Sequence, residues 1–160
     1  MYEKYEDGSI YSGEFLDGIR DGKGVISYPD GGMYEGGWKL GQMHGYGILF
    51  YPSKDIAYEG FWHEGKFHGE GKIFNEDMEM NEEIYINYKN FSSIGENWVR
   101  YEGMFDMDNK HGQGILIFKD GSRFEGSFIS DAVDGDGTYY FRDGRSFSGE
   151  WINNKLVKVY

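Results

Sequence analysis

The sequence predicts an all-β protein: an elongated, single-layer antiparallel meander of about six hairpin repeats, with one insertion at about residues 76–100. Three observations lead there. Glycine supplies 26 of the 160 residues and aromatics 19%, with only two prolines. Disordered chains are poor in aromatics and collagen-like ones are rich in proline, so this mixture points to strands joined by tight turns. A short phrase, aromatic-x-Gly-x-aromatic, recurs along the chain, and a pair of glycines follows five of its six copies at a fixed distance.

The phrase begins at Tyr11, Tyr34, Tyr58, Tyr101, Phe124 and Phe147, at spacings of 23, 24, 43, 23 and 23 residues, the long gap being one unit plus 20 residues. Self-similarity at a fixed period marks a stacked array in which each repeat contributes one supersecondary unit. Residues 1–160 then read as a single repeat domain. Residues 1–10 look like the tail of a preceding unit, since "YEDGSI" from Tyr5 matches "FKDGSR" from Phe118. Residues 152–160 read as a cap that follows the first strand of the last unit.

Each repeat opens with the aromatic phrase as its first strand. Seven residues after the first aromatic stands Gly18, Gly41 or Gly65, or else Asp108, Asp131 or Asn154. These residue types tolerate the left-handed backbone of a two-residue hairpin turn. The return strand carries the glycine pairs Gly22/Gly24, Gly45/Gly47, Gly69/Gly71, Gly112/Gly114 and Gly135/Gly137. A second turn signal, Asp-Gly, closes units at Asp30-Gly31, Asp120-Gly121 and Asp143-Gly144, and also stands at Asp7-Gly8. Strand, turn, strand, turn, with about five residues per strand, gives about twelve strands. The third unit lacks its closing Asp-Gly. The fifth has Val133 before Asp134-Gly135, where a histidine or another polar residue is expected.

Residues two apart on a strand share a face, so Tyr34, Gly36 and Trp38 point one way, together with Gly45, Gly47, Leu49 and Tyr51 of the return strand. A ring laid over a neighbouring strand's glycine recovers apolar contact where no side chain exists. Gly22, Gly24, Gly36, Gly45, Gly47, Gly60, Gly69, Gly71, Gly103, Gly112, Gly114, Gly126, Gly135 and Gly137 are therefore expected to be structural, kept bare because anything larger would strike a ring. Residues 76–100, "EDMEMNEEIYINYKNFSSIGENWVR", break the register. Their acidic start predicts a helix-like stretch or loop. The alternation of Ile84, Ile86 and Tyr88 with Tyr85 and Asn87 then predicts an extra strand, as a surface excursion or an arm for a partner.

The combination Tyr-x-Gly-x-Trp, then His-Gly-x-Gly-x-x-x-Tyr, then Asp-Gly, at a period of 23, resembles the MORN (membrane occupation and recognition nexus) repeat family from Tyr11 to about Tyr160. The resemblance implies cytoskeletal, ciliary or membrane-proximal settings.

Catalysis, cofactors and metals find no support. Zero cysteines removes thiolate chemistry. His44, His68 and His111 occupy one repeat position and so should stand apart; His63 lies near His68, but no third ligand is specified. The Gly-x-Gly pairs recur without the helix, lysine and serine of a phosphate loop. Glu35 and Glu59 alternate outward, as on a solvated strand face. A net charge of −12 opposes nucleic acid, and it disfavours anionic lipid. No run of 18 apolar residues and no secretory leader is visible, so a cytoplasmic location is expected.

The expected function is a non-enzymatic scaffold that holds a basic or amphipathic protein segment along an open aromatic groove. Its expected contacts are Tyr34, Trp38, Tyr58, Trp62, Tyr101 and Phe105. The alternatives are a module for phosphoinositide or other anionic membrane lipid, and a homo-oligomer joined through its end strands.

Overall fold

The computed structural model describes residues 1–160 and is all-β, its only helical turn being a 3₁₀ turn at Phe91–Ser93. Every strand pairs antiparallel with its sequence neighbour in a plain meander, the arrangement the repeat pattern predicts. Contacts divide the chain into two units, Met1–Gly71 and Lys72–Tyr160. The first contains β1 (Tyr2–Lys4), β2 (Ile10–Leu16), β3 (Ile19–Ser27), β4 (Met33–Lys39), β5 (Gln42–Phe50), β6 (Ile56–His63) and most of β7 (Lys66–Phe74). The second contains β8 (Trp98–Asp106), β9 (Asn109–Phe118), β10 (Arg123–Ile129), β11 (Ala132–Tyr140), β12 (Ser146–Ile152) and β13 (Lys155–Val159). There are thus thirteen strands, mostly of seven to ten residues.

Six hairpins turn on two residues with both φ angles positive, as at Leu40 (50°) and Gly41 (81°) or Asn153 (46°) and Asn154 (72°). That mirror-image turn matches the right-handed twist of the strands it joins. At the other end of the unit, Asp side chains accept from the backbone two residues on, as in Ser9 N–H to Asp7 (2.8 Å) and Gly32 N–H to Asp30 (2.8 Å). In the 24-residue repeat Lys54, at φ 81°, takes the place of glycine.

Glycine faces glycine across the strands: Gly13 opposite Gly24, Gly24 opposite Gly36, Gly36 opposite Gly47, Gly47 opposite Gly60. Just past this row the register slips in the pairs β2–β3, β4–β5, β8–β9 and β10–β11, where one residue of the first strand stands against three of the return strand. A bulge leaves its backbone groups outside the ladder. The repeat's first tyrosine folds back to satisfy them. Tyr11 donates to Glu14 O (2.7 Å), Tyr34 to Gly37 O (2.9 Å), Tyr58 to Phe61 O (2.7 Å) and Tyr101 to Met104 O (2.8 Å).

The phenol so placed sits on the next strand's glycine. A methyl at Gly47 would stand 2.2 Å from the Tyr34 hydroxyl, and one at Gly24 or Gly71 would strike Tyr11 or Tyr58 as closely. The first glycine of each pair has a different reason. Gly45 has open space around it but holds φ at +77°, which a side chain would strain. Collision with a ring therefore does not account for Gly22, Gly45, Gly69, Gly112 and Gly135.

Two boundaries differ from expectation. Residues 152–160 complete a hairpin: β13 pairs with β12, so the last unit does not stop after one strand. Val133 is buried, at the repeat position of Arg20, Met43, Phe67 and Lys110, while Asp134 takes the place of the histidines.

Candidate binding surfaces

The six rings expected to meet a partner are buried: Tyr34, Tyr58 and Tyr101 are 0% exposed, Phe105 4%, Trp38 5% and Trp62 6%. They cover one another edge to face. In the first unit, Tyr11, Trp38, Tyr34, Trp62 and Tyr58 form a row with ring centres 5.1–5.3 Å apart. Trp38 and Trp62 turn their indole N–H to Gly24 O (3.0 Å) and Gly47 O (3.1 Å). Counting side chains on an alternating face exposes the rings; it does not show that T-shaped packing against phenols and bare glycines uses up their surface. These six rings are the core of the sheet, and any partner touches what surrounds them.

In the second unit this ring face is covered by the chain itself. Residues 75–97 contain no strand and no α-helix. Asn75, Asp77, Asn81, Asn87 and Asn90 each accept from the backbone two residues on, which ties the backbone into local turns and keeps it from the ladder the alternation predicted. The segment is neither excursion nor free arm but a strap. Asn75 clamps its base, donating to Glu96 O (3.1 Å) and Trp98 O (2.8 Å). Lys119, buried, reaches Asp77 at 3.2 Å, and Arg142 reaches Glu82 at 3.1 Å. The Glu79 N–H, and then Lys119, hold the Asp77 carboxyl below its usual range.

The far end of the strap lies against β11, β12 and β13. Phe91 stacks on Phe118 (5.6 Å, 7°) and meets Phe124, Tyr139 and Trp151 at 5.5–6.1 Å. Tyr88 packs on Tyr139, Phe141 and Phe147. Trp151 donates to Tyr88 O (2.8 Å), Phe91 N–H to Asn154 O (2.9 Å) and Leu156 N–H to Lys89 O (2.9 Å). Burial pushes the Tyr139 phenol up to about 12.

No such segment crosses the ring face of the first unit. An open cavity of about 440 Å³ remains there, lined by Tyr5, Arg20, Ile26, Tyr28 and Trp38, with Gln42 and Met43 at its edge. The Arg20 guanidinium lies 4.7 Å from the Trp38 ring and 5.2 Å from Tyr5, and donates to Gly41 O at 2.8 Å.

The opposite face of the first unit is a shallow groove floored by the glycine row and lined by Val25, Glu35, His44 and Ile48. Tyr46 and Phe61 stand on this face, 53% and 47% exposed, with ring centres 5.6 Å apart. Other repeats put Gln113 and Ser127 at these two positions, joined by a hydrogen bond of 2.6 Å. The aromatic pair is thus not required by the repeat. His63 lies between His44 (5.3 Å) and His68 (5.5 Å), so the histidines form a row, a neighbourhood that spacing within one repeat position does not reveal. No three His, Asp or Glu side chains converge as metal ligands.

The MORN repeat family matches residues 11–33, 34–56, 58–74, 101–123 and 124–144, more than half of the chain. The protein belongs to the MORN repeat family. Comparison with curated proteins finds no match. Repeats of this kind generally take part in protein–protein or membrane interactions.

Proposed function

We propose that the protein is a non-enzymatic scaffold that holds a segment of another protein against the ring face of a MORN array. One observation carries the reading: in the second unit that face already holds a protein segment, the strap, by ring stacking and by main-chain hydrogen bonds. The first unit offers the same kind of face without a strap. A net charge of −12 favours a segment of basic or amphipathic character, whose capture weakens with salt. The reading involves no catalysis. We extend it to a cytoplasmic setting near cytoskeletal, ciliary or other membrane-proximal structures.

A photo-crosslinking residue at position 28, compared with one at 104 in the second unit, tests the scaffold in its native extract. Crosslinks to one protein from position 28 support it; no protein crosslinked from either position overturns it. The membrane alternative rests on the exposed pair Tyr46 and Phe61, since aromatic side chains favour the bilayer interface. Sedimentation with anionic vesicles at low and moderate salt is expected to leave the protein in solution. Salt-sensitive co-sedimentation that Tyr46→Ser abolishes replaces the scaffold with a membrane module.

A further inference from the structure

The two units can be superposed in sequence at a constant offset of 113 residues: Tyr5 on Phe118, Tyr11 on Phe124, Arg20 on Val133, Ile26 on Tyr139, Tyr28 on Phe141, Trp38 on Trp151 and Gly41 on Asn154. On this register the open cavity of the first unit is the counterpart of the place where Tyr88 and Phe91 sit in the second. Phe118, Tyr139, Phe141 and Trp151 touch those two rings, and Tyr5, Ile26, Tyr28 and Trp38 line the cavity. The strap therefore records what chemistry such a place accepts. Two aromatic side chains three residues apart enter it from a backbone turn, in which the Asn90 N–H donates to Asn87 O, followed by the 3₁₀ turn at Phe91–Ser93.

The counterpart positions differ in three ways that bear on binding. Trp151 gives its indole N–H to the strap, whereas Trp38 gives it to Gly24 O. Asn154 O receives the Phe91 N–H, whereas Gly41 O is taken by Arg20. The edge of β13 pairs with Lys89 and Asn90, whereas Met43 O already receives the Gly65 N–H. Strand-edge pairing is thus closed in the first unit, and the side-chain cavity is what remains. Arg20 stands where Val133 stands, its guanidinium spread over Trp38 and Tyr5. Because its guanidinium fills the space beside Trp38 and Tyr5 and holds Gly41 O, an incoming ring has to share the cavity with it.

We propose that this cavity of the first unit binds a partner segment carrying two aromatic residues spaced as Tyr-x-x-Phe, presented from a turn as in the strap, with Arg20 limiting its affinity. The proposal rests on the scaffold reading and narrows it to one cavity and one ligand chemistry.

The probe is the strap's own sequence as a blocked peptide, residues 84–93, titrated into the full chain by calorimetry. Saturable binding is expected, and replacing Tyr88 and Phe91 of the peptide by alanine should weaken it at least about tenfold. In the protein, Arg20→Val frees Gly41 O and restores the second unit's side chain, and it should tighten binding about fivefold. Tyr28→Ala should weaken it about tenfold with the thermal transition retained, and Tyr28→Phe should restore it. A peptide that fails to bind both the wild-type and Arg20→Val chains overturns the proposal. So does binding indifferent to the peptide's aromatics or to Tyr28, which would place it elsewhere, such as exchange with the strap. The scaffold reading survives either failure if position 28 still crosslinks a protein.

Discussion

In the four repeats that open with tyrosine, a hydroxyl and a missing side chain hold the hairpin together. The Tyr34 phenol donates to the bulge carbonyl of Gly37 while its ring lies on Gly47. Phe124 and Phe147 show that the ring is needed in every repeat and the hydroxyl is not. Tyr34→Phe should therefore keep the fold and cost about 1 kcal/mol, the net worth of one hydrogen bond, read as a lower urea midpoint at unchanged slope. The two glycines of a pair should separate more widely. Gly47→Ala forces a methyl into the phenol and should cost about 3 kcal/mol by overpacking, while Gly45→Ala meets only its left-handed backbone and should cost about 1 kcal/mol. Equal costs at the two positions would mean that ring contact is not what keeps Gly47 bare. Trp38→Ala and Trp62→Ala should each cost about 3–5 kcal/mol, because both indoles are buried. Lost partner binding in either would report a damaged sheet and so could not map a contact.

The strap is the element whose behaviour the structure makes most testable. Its contacts all fall on the second unit, so Phe91→Ala, at about 3 kcal/mol, should raise amide exchange along residues 84–91 and in β11–β13 and leave β2–β5 unchanged. Acid should loosen the same element. Asp77 is held below its ordinary range by the Glu79 N–H and by Lys119, so it binds fewer protons folded than unfolded. Its contribution is fully present above the unfolded value of 3.8 and disappears as pH falls through the lower folded value. Exchange along the strap should rise in that acid window, and Asp77→Asn should flatten the pH dependence. Tyr139 works in the opposite direction. Its folded pKa, raised to about 12 by burial, adds stability below the unfolded value of 10 that is lost as pH climbs between the two. Phe91→Ala should bring the phenol's titration back toward 10, visible in the tyrosinate absorbance.

At the scale of the whole molecule, repetition makes the two units alike and one insertion makes them unlike. The second unit has its ring face closed by Phe91 and Tyr88, and the outer edge of β13 partly paired through Lys89 and Asn90. That engaged edge disfavours the pairing of end strands between copies. The first unit keeps an open cavity on one face and the exposed Tyr46–Phe61 pair on the other. The proposed association with a protein segment therefore falls to the first unit, and the net charge of −12 would set its salt dependence.

The hairpins were legible in the sequence because each depends on neighbours in the chain. A turn at Leu40-Gly41 or Asn153-Asn154, a glycine pair eleven and thirteen residues after a ring, and alternation along a strand are all local, and each local rule is repeated until chance is excluded. The family resemblance rests on the same repetition. The binding surfaces were not legible, since they are set by what lies over a face. No spacing tells that Tyr34 and Trp38 use up each other's surface, or that Asn75, standing where Tyr28 and Tyr51 stand, anchors a strap that carries Phe91 onto Trp151. Asn75 was the one visible signal, a polar residue at an aromatic position beside the insertion. Sequence determined the hairpin, because its forces act across a few bonds and one neighbouring strand. Only tertiary structure decided which ring face is covered and which is open, because that depends on packing between residues 63 positions apart, as Tyr88 and Trp151 are.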